Sequence, residues 1–228
     1  MAKARATSDS RVRITKRKSV KQAEKLKSGL LDVSIPQNAT HLMKLAERNS
    51  TQSPLLRLPP EIRNKIWKYT VGGLEINIGE VGTVFPMKLS YATGPIGANK
   101  NLINRPRVEF HLHRVSRQTY FEVAPFIYTM NTFSFNFVSI VDRWVKCRAL
   151  GQIQLVTSVN IPFRYFGLYV QGFRRTFRKK FPNIQRIGIC EFSALRYRRM
   201  GETIQEMKDC IVEQVHVREG DGVVVEWC

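Results

Sequence analysis

The chain alternates between stretches with a clear apolar period and stretches with none. In "SPLLRLPPEIRNKIWKYTVGG", residues 53–73, Leu58, Ile62, Ile66 and Tyr69 recur at spacings of four, four and three, which is one face of an α-helix. Pro59 and Pro60 suit its first positions, where a missing N–H costs nothing, and Gly72–Gly73 stops it. Arg63, Lys65 and Lys68 fall off that face. A weaker helical pattern precedes it in "THLMKLAERN", with Thr40 as N-cap. The segment 74–110 predicts a small hairpin at "LEINIGEVGTVF" and a loop at "YATGPIGANKN", exposed and partly mobile.

The pattern sharpens again after 110. Leu112, Val115, Thr119 and Val123 share a helical face, and Pro125 predicts a break. "NTFSFNF" alternates Phe133, Phe135 and Phe137 on one side of a strand. "SIVDRWVKCRA" predicts a helix buried through Ile140, Val141, Trp144 and Val145. Strands are then expected to start near 156, 184 and 223. A helix at 166–181 and another carrying Ile204, Met207, Ile211 and Val215 separate them. That order, β-α-β-α-β, predicts mostly parallel strands with the helices on one side. The fold class is α+β.

Charge changes the picture. A net charge of +19 with 43% hydrophobic residues describes a chain that buries a core and yet attracts anions. Residues 1–49 carry twelve Lys/Arg against four Asp/Glu. Arg11, Arg13, Lys16, Arg17, Lys18 and Lys21 crowd a stretch with no core pattern, which predicts a disordered, nuclear-targeting tail. The boundaries are a basic tail at 1–52 and one domain at 53–228. No apolar run reaches membrane-spanning length, and the N-terminus lacks a signal-peptide core. A nuclear or cytoplasmic chain is expected. Cys147, Cys190, Cys210 and Cys228 lie far apart, as reduced thiols do, with Cys190 expected to be buried in a strand.

Candidate chemistry is sparse. His111 and His113 are two apart, a poor zinc spacing on a helix. Ser116 and Thr119 lack a nucleophile elbow, and the glycines at 79, 82, 94 and 97 form no phosphate cradle. No catalytic site, cofactor or metal is expected, and the chain is read as a non-enzyme. Phe133 and Phe135 suit core packing better than base stacking, because the signature of an RNA-binding sheet is missing. In the helix expected at 166–181, Tyr169, Phe173, Phe177 and Phe181 step by four. Arg174, Arg175, Arg178 and Lys179 face the other way, as an anion-binding face or as solvated charge. Arg164, Arg196, Arg198 and Arg199 extend that patch.

The blocks "SPLLRLPPEIRNKIWKYTV", "HRVSRQTYFEVAPFIYTMNTFSF", a Trp-bearing helix and "FPNIQRIGI" resemble a group of uncharacterised fungal proteins. Their shared domain is one of unknown function with an F-box-like start. The resemblance covers roughly 53–192. It implies F-box-like helices at 54–72 and 111–129, an insertion at 74–110 and an α/β part at 131–228. In the broader F-box family the first helix meets a ligase adaptor. Leu58, Pro59, Glu61, Ile62 and Ile66 resemble that helix, with one extra proline; Val115, Ser116, Arg117 and Tyr120 resemble its second part. The resemblance implies a protein-interaction module that binds the adaptor subunit of a cullin-type ubiquitin ligase through Leu58, Pro59 and Ile62. The competing expectation is that this face packs against the domain's own helix 112–124. A further alternative is a nuclear protein that binds RNA or DNA nonspecifically through its tail and basic helix face.

Overall fold

The computed structural model describes residues 44, 47–49, 51–81, 88–95, 117–190 and 201–227. The basic cluster at 11–21, His111, Leu112, His113, Val115, Ser116, Arg196, Arg198, Arg199 and Cys228 lie outside them. Of the helix expected at 40–49, Lys44 and residues 47–49 are helical.

The elements run α1 (Pro60–Val71), β1 (Leu74–Val81), β2 (Lys88–Pro95), α2 (Arg117–Thr129) and β3 (Thr132–Phe135). They continue as α3 (Val138–Lys146), α4 (Leu150–Gln154), β4 (Ser158–Ile161), α5 (Phe163–Val170), β5 (Arg186–Ile189), α6 (Ile204–Glu219) and β6 (Val224–Trp227). They build one six-stranded sheet in the order β2-β1-β3-β4-β5-β6. Only the β1–β2 hairpin is antiparallel; β1, β3, β4, β5 and β6 are parallel. The three expected strands begin at 158, 186 and 224.

Strands laid down in chain order, with crossovers of one hand, put every connecting helix on the same face. Ile76, Ile78, Phe133, Phe135, Val159, Ile161, Ile187 and Ile189 line that face. They form one core with Ile140, Val141 and Trp144 of α3, Phe166 and Tyr169 of α5, and Met207, Ile211 and Val215 of α6. Trp144 sits at the centre, 5.0 Å from the Phe133 ring and 5.6 Å from Phe135. Ile204 remains outside, and so does Phe137, which precedes α3 instead of extending the strand. Cys190 is only half-buried, just past β5.

Four sequence expectations are corrected. The second hairpin strand lies at 88–95 and contains "YATGP", which is not loop. β1 is no exposed ribbon: Ile76 and Ile78 give it an apolar face, which the sheet buries beside β3. Pro125 does not end its helix, which runs on to Thr129. The lost N–H would have served the carbonyl of Phe121, a residue on the exposed side, where water can replace it, while buried Val123 and Ala124 hold the helix in place. The helix expected at 166–181 ends at Val170. Gly172, at φ +82°, turns the chain out of it.

The other sheet face is polar. Thr132 Oγ1 and Ser158 Oγ lie 2.9 Å apart, and Arg186 Nη1 donates to Ser158 Oγ at 3.1 Å and Asn160 Oδ1 at 2.9 Å. Arg186 also pairs with Glu226, and Asn160 Nδ2 donates to Glu75 Oε1 at 3.3 Å. Glu75, Thr132 and Asn160 are buried, so each needs these partners. Gly188 sits under the ladder. A Cβ there would fall 1.9 Å from Asn160 Oδ1 and 2.8 Å from its Cγ. Gly188→Ala must push Asn160 off Arg186, and urea unfolding should show a loss of about 1–3 kcal/mol. Adding Asn160→Ala should return part of it if that clash is the cause.

Candidate functional site

α1 carries two stripes. Arg63, Trp67 and Val71 are buried, the tryptophan and valine at 1% exposure each. Trp67 and Val71 pack on Val123 of α2, with Leu55, Ile66, Phe126 and Ile127 around them. The stripe expected to be apolar and paired lies elsewhere: Ile62 is 43% exposed, Tyr69 is 89% exposed, and Pro59 is exposed. Leu58 and Ile66 are half-buried. At 100° per residue the two stripes are centred roughly 130° apart. The expectation that Leu58, Ile62, Ile66 and Tyr69 together form the packed face is therefore corrected.

The reason is an ion pair that spans 59 residues of sequence. Arg63 Nε donates to Glu122 Oε2 at 3.0 Å and Nη2 donates to Oε1 at 2.8 Å, a two-pronged contact between α1 and α2. Its Nη1 donates to the carbonyls of Leu56, at 3.0 Å, and Leu58. Trp67 Nε1 and Gln118 Nε2 each donate to Glu122 at 3.0 Å. Burial pushes the Glu122 carboxyl up. The bonds from Arg63, Trp67 and Gln118, with the Arg63 charge, outweigh that and hold it below its usual 4.5. Arg63 is part of "LRLPPEIR", while Gln118 and Glu122 are part of "VSRQTYFE". The two blocks that carry the F-box resemblance thus meet through their charged residues.

Asn131 fixes the base of this helix pair. Its Nδ2 donates to the carbonyls of Val71 at 2.6 Å and Ile127 at 3.0 Å, near the ends of α1 and α2. Its Oδ1 accepts the N–H of Leu74 at 2.8 Å, where β1 begins. One buried amide joins both helices to the sheet and sets the direction of α1. The sequence signal was an Asn just after a helical run, the position of a C-terminal cap.

The anion-binding candidates lie on the turn segment 171–182, not on a helix face. Tyr169, Phe177 and Phe181 are completely buried, as the four-residue spacing implied, but Phe173 is 74% exposed. Glu219 of α6 holds the segment. Its carboxylate accepts the backbone N–H of Phe177 at 2.6 Å, that of Arg178 at 3.0 Å and the Tyr169 hydroxyl at 2.8 Å. Burial, joined by the bond to the Glu219 carboxylate, pushes the Tyr169 hydroxyl well above its usual 10, so it stays a donor. Asp142 of α3 takes Arg174 at 2.6 Å and also pairs with Lys180. Burial raises the Asp142 carboxyl, and those two cations more than reverse it, holding it below its usual 3.8. Arg174 is thus a structural cation. Arg175, Arg178, Lys179 and the neighbouring Arg164 are exposed.

A shallow depression along α6 is lined by Asp209, Val212, Glu213, His216, Val217 and Asp221. Among the described residues no three or more His, Cys, Asp or Glu side chains are grouped to hold a metal ion. Among them, too, no helix is long and apolar enough to cross a membrane.

These features define a mixed helix-and-strand protein in which a helix pair is bolted to one end of a parallel sheet interleaved with helices. The chain belongs to the family of a domain of unknown function, DUF7730, whose model matches residues 48–185. The match includes Arg63, Glu122 and Asp142 and stops before β5, α6 and Glu219. No curated protein and no solved structure matches the chain.

Proposed function

We propose that this domain is a non-enzymatic, F-box-like interaction module. Its first helix docks the adaptor subunit of a cullin-type ubiquitin ligase, in the nucleus or cytoplasm. The observation that supports this reading is the exposure of Pro59, Ile62 and Tyr69 on a helix whose opposite stripe is already bonded and packed. An apolar stripe at helical spacing that does not serve its own core suits the groove of a partner. The Arg63–Glu122 pair adds rigidity, since the helix is pinned before any partner arrives. The sheet that follows would then present a substrate.

Ile62→Lys tests the docking. Purified wild-type chain should bind the purified adaptor in a calorimetric titration. The variant should lose roughly 30-fold or more in affinity, the scale of an interface anchor, while Tm stays within a few degrees because Ile62 is outside the core. Leu58→Ala with Pro59→Ala should act in the same direction. A wild-type chain that binds no adaptor sinks the proposal, whatever the variants do.

A further inference from the structure

Segment 171–182 has properties that its part in the core does not require. It is held at both ends and in its middle: Tyr169, Phe177 and Phe181 are fully buried, Glu219 binds two of its backbone N–H groups, and Asp142 holds Arg174 and Lys180. Out of this fixed frame project Phe173, 74% exposed, and three cations, Arg175, Arg178 and Lys179. Among the described residues none of those three side chains has an ion-pair partner, although Asp142 shows that the fold pairs cations here where it needs to.

We infer that segment 171–182 binds single-stranded nucleic acid, with Phe173 stacking on a base and Arg175, Arg178 and Lys179 meeting the backbone phosphates. Single strands offer flat apolar faces beside regularly spaced negative charge, and proteins that take them combine an exposed aromatic with cations. An acidic peptide would use the cations but has no general need of the ring. An anionic bilayer would use both, but firm insertion needs more apolar surface than one phenylalanine flanked by Gly172 and Arg174. Because the frame is fixed, little ordering cost is left for the binding step. Nothing here depends on the adaptor-binding helix, so the two readings stand or fall separately.

The test uses the full chain and fluorescence anisotropy with labelled oligo(dT) and oligo(U) of twenty nucleotides, over a series of salt concentrations. The basic tail will bind these probes as well, so the decisive quantities are changes between variants. Phe173→Ala and Phe173→Leu should both weaken binding roughly five- to 150-fold, with the salt slope unchanged, since a neutral ring releases no counterions. Phe173→Trp should restore it. Arg175→Gln, Arg178→Gln and Lys179→Gln together should reduce the log–log salt slope by up to about 2, at roughly 0.7 per lost phosphate contact. All these residues are exposed, so Tm should not move. Unchanged slope and affinity in the triple variant would overturn the site. Unchanged affinity in both Phe173 variants would overturn the stacking and leave a nonspecific polyanion surface. Phe173-dependent sedimentation with phosphatidylserine vesicles, without an effect on the oligonucleotides, would overturn it in favour of a membrane.

Discussion

Glu122→Ala should lower the unfolding free energy by about 2–4 kcal/mol. That is slightly below the 3–5 of a fully buried pair, because the carboxylate side chain keeps 16% exposure. The loss has a specific origin. Arg63, whose side chain is only 10% exposed, loses its counter-charge and the acceptors of Nε and Nη2, keeping only the Leu56 and Leu58 carbonyls for Nη1, and Trp67 Nε1 and Gln118 lose their acceptor. Arg63→Met should cost a similar amount, and the double variant Arg63→Met/Glu122→Leu much less than the sum, since an apolar pair of similar bulk removes the stranded charge. Single-variant losses below about 0.5 kcal/mol in urea would mean the pair behaves as a surface contact. The same groups set the acid limit. Glu122 and Asp142 have folded-state pKa values held below 4.5 and 3.8. Their contribution is therefore complete above those values and lost as pH falls through the lower, folded-state ones. Tm should stay level down to about pH 5 and then drop. The gap between wild type and Arg63→Met should close over that acid range.

Glu219→Ala should cost about 3–5 kcal/mol, because three donors lose one acceptor at once and each stranded group costs about 1–3. The bonds of the Phe177 N–H and the Tyr169 hydroxyl are buried; that of the Arg178 N–H is partly open. The segment they hold should loosen before the sheet does. Trypsin under native conditions should then cut after Arg175 and Arg178 much faster than in the wild type. Glu219→Gln keeps one acceptor and should fall between the two. Equal cleavage rates in all three proteins would mean that Tyr169, Phe177 and Phe181 hold the segment without help.

The α/β part was largely legible because its signals are local. Ile140, Val141 and Trp144 announce the buried side of α3, and Met207, Ile211 and Val215 that of α6. The apolar runs of β4, β5 and β6 recur with helix-sized spacing. The first helix was misread because a charged residue was assumed to face outward. Arg63 is buried by a partner that lies 59 residues away, and no window on α1 contains that information. The stripe through Tyr169, Phe173, Phe177 and Phe181 was right about burial at three of four positions and wrong about conformation. Periodicity reports which side chains are wanted inside, and Gly172 decides that the backbone reaches them by turns. Glu219, the residue that organises that segment, gave no signal beyond closing an amphipathic helix. A carboxylate at a helix end is ordinarily a surface residue.

The order of strands in the sheet has a bearing on how the domain is made. β3 is added to the free edge of β1, and β4, β5 and β6 are each added beside the strand that preceded it in the chain, so from β3 onward the next edge is the most recently formed one. As the chain leaves the ribosome, β1 and β2 can close into a hairpin first, and β3, β4, β5 and β6 then find a template already waiting. No later strand has to be threaded between two earlier ones. The growing domain thus carries one fresh edge at a time, capped by its own next strand, and its exposure to mispairing with other nascent chains is brief.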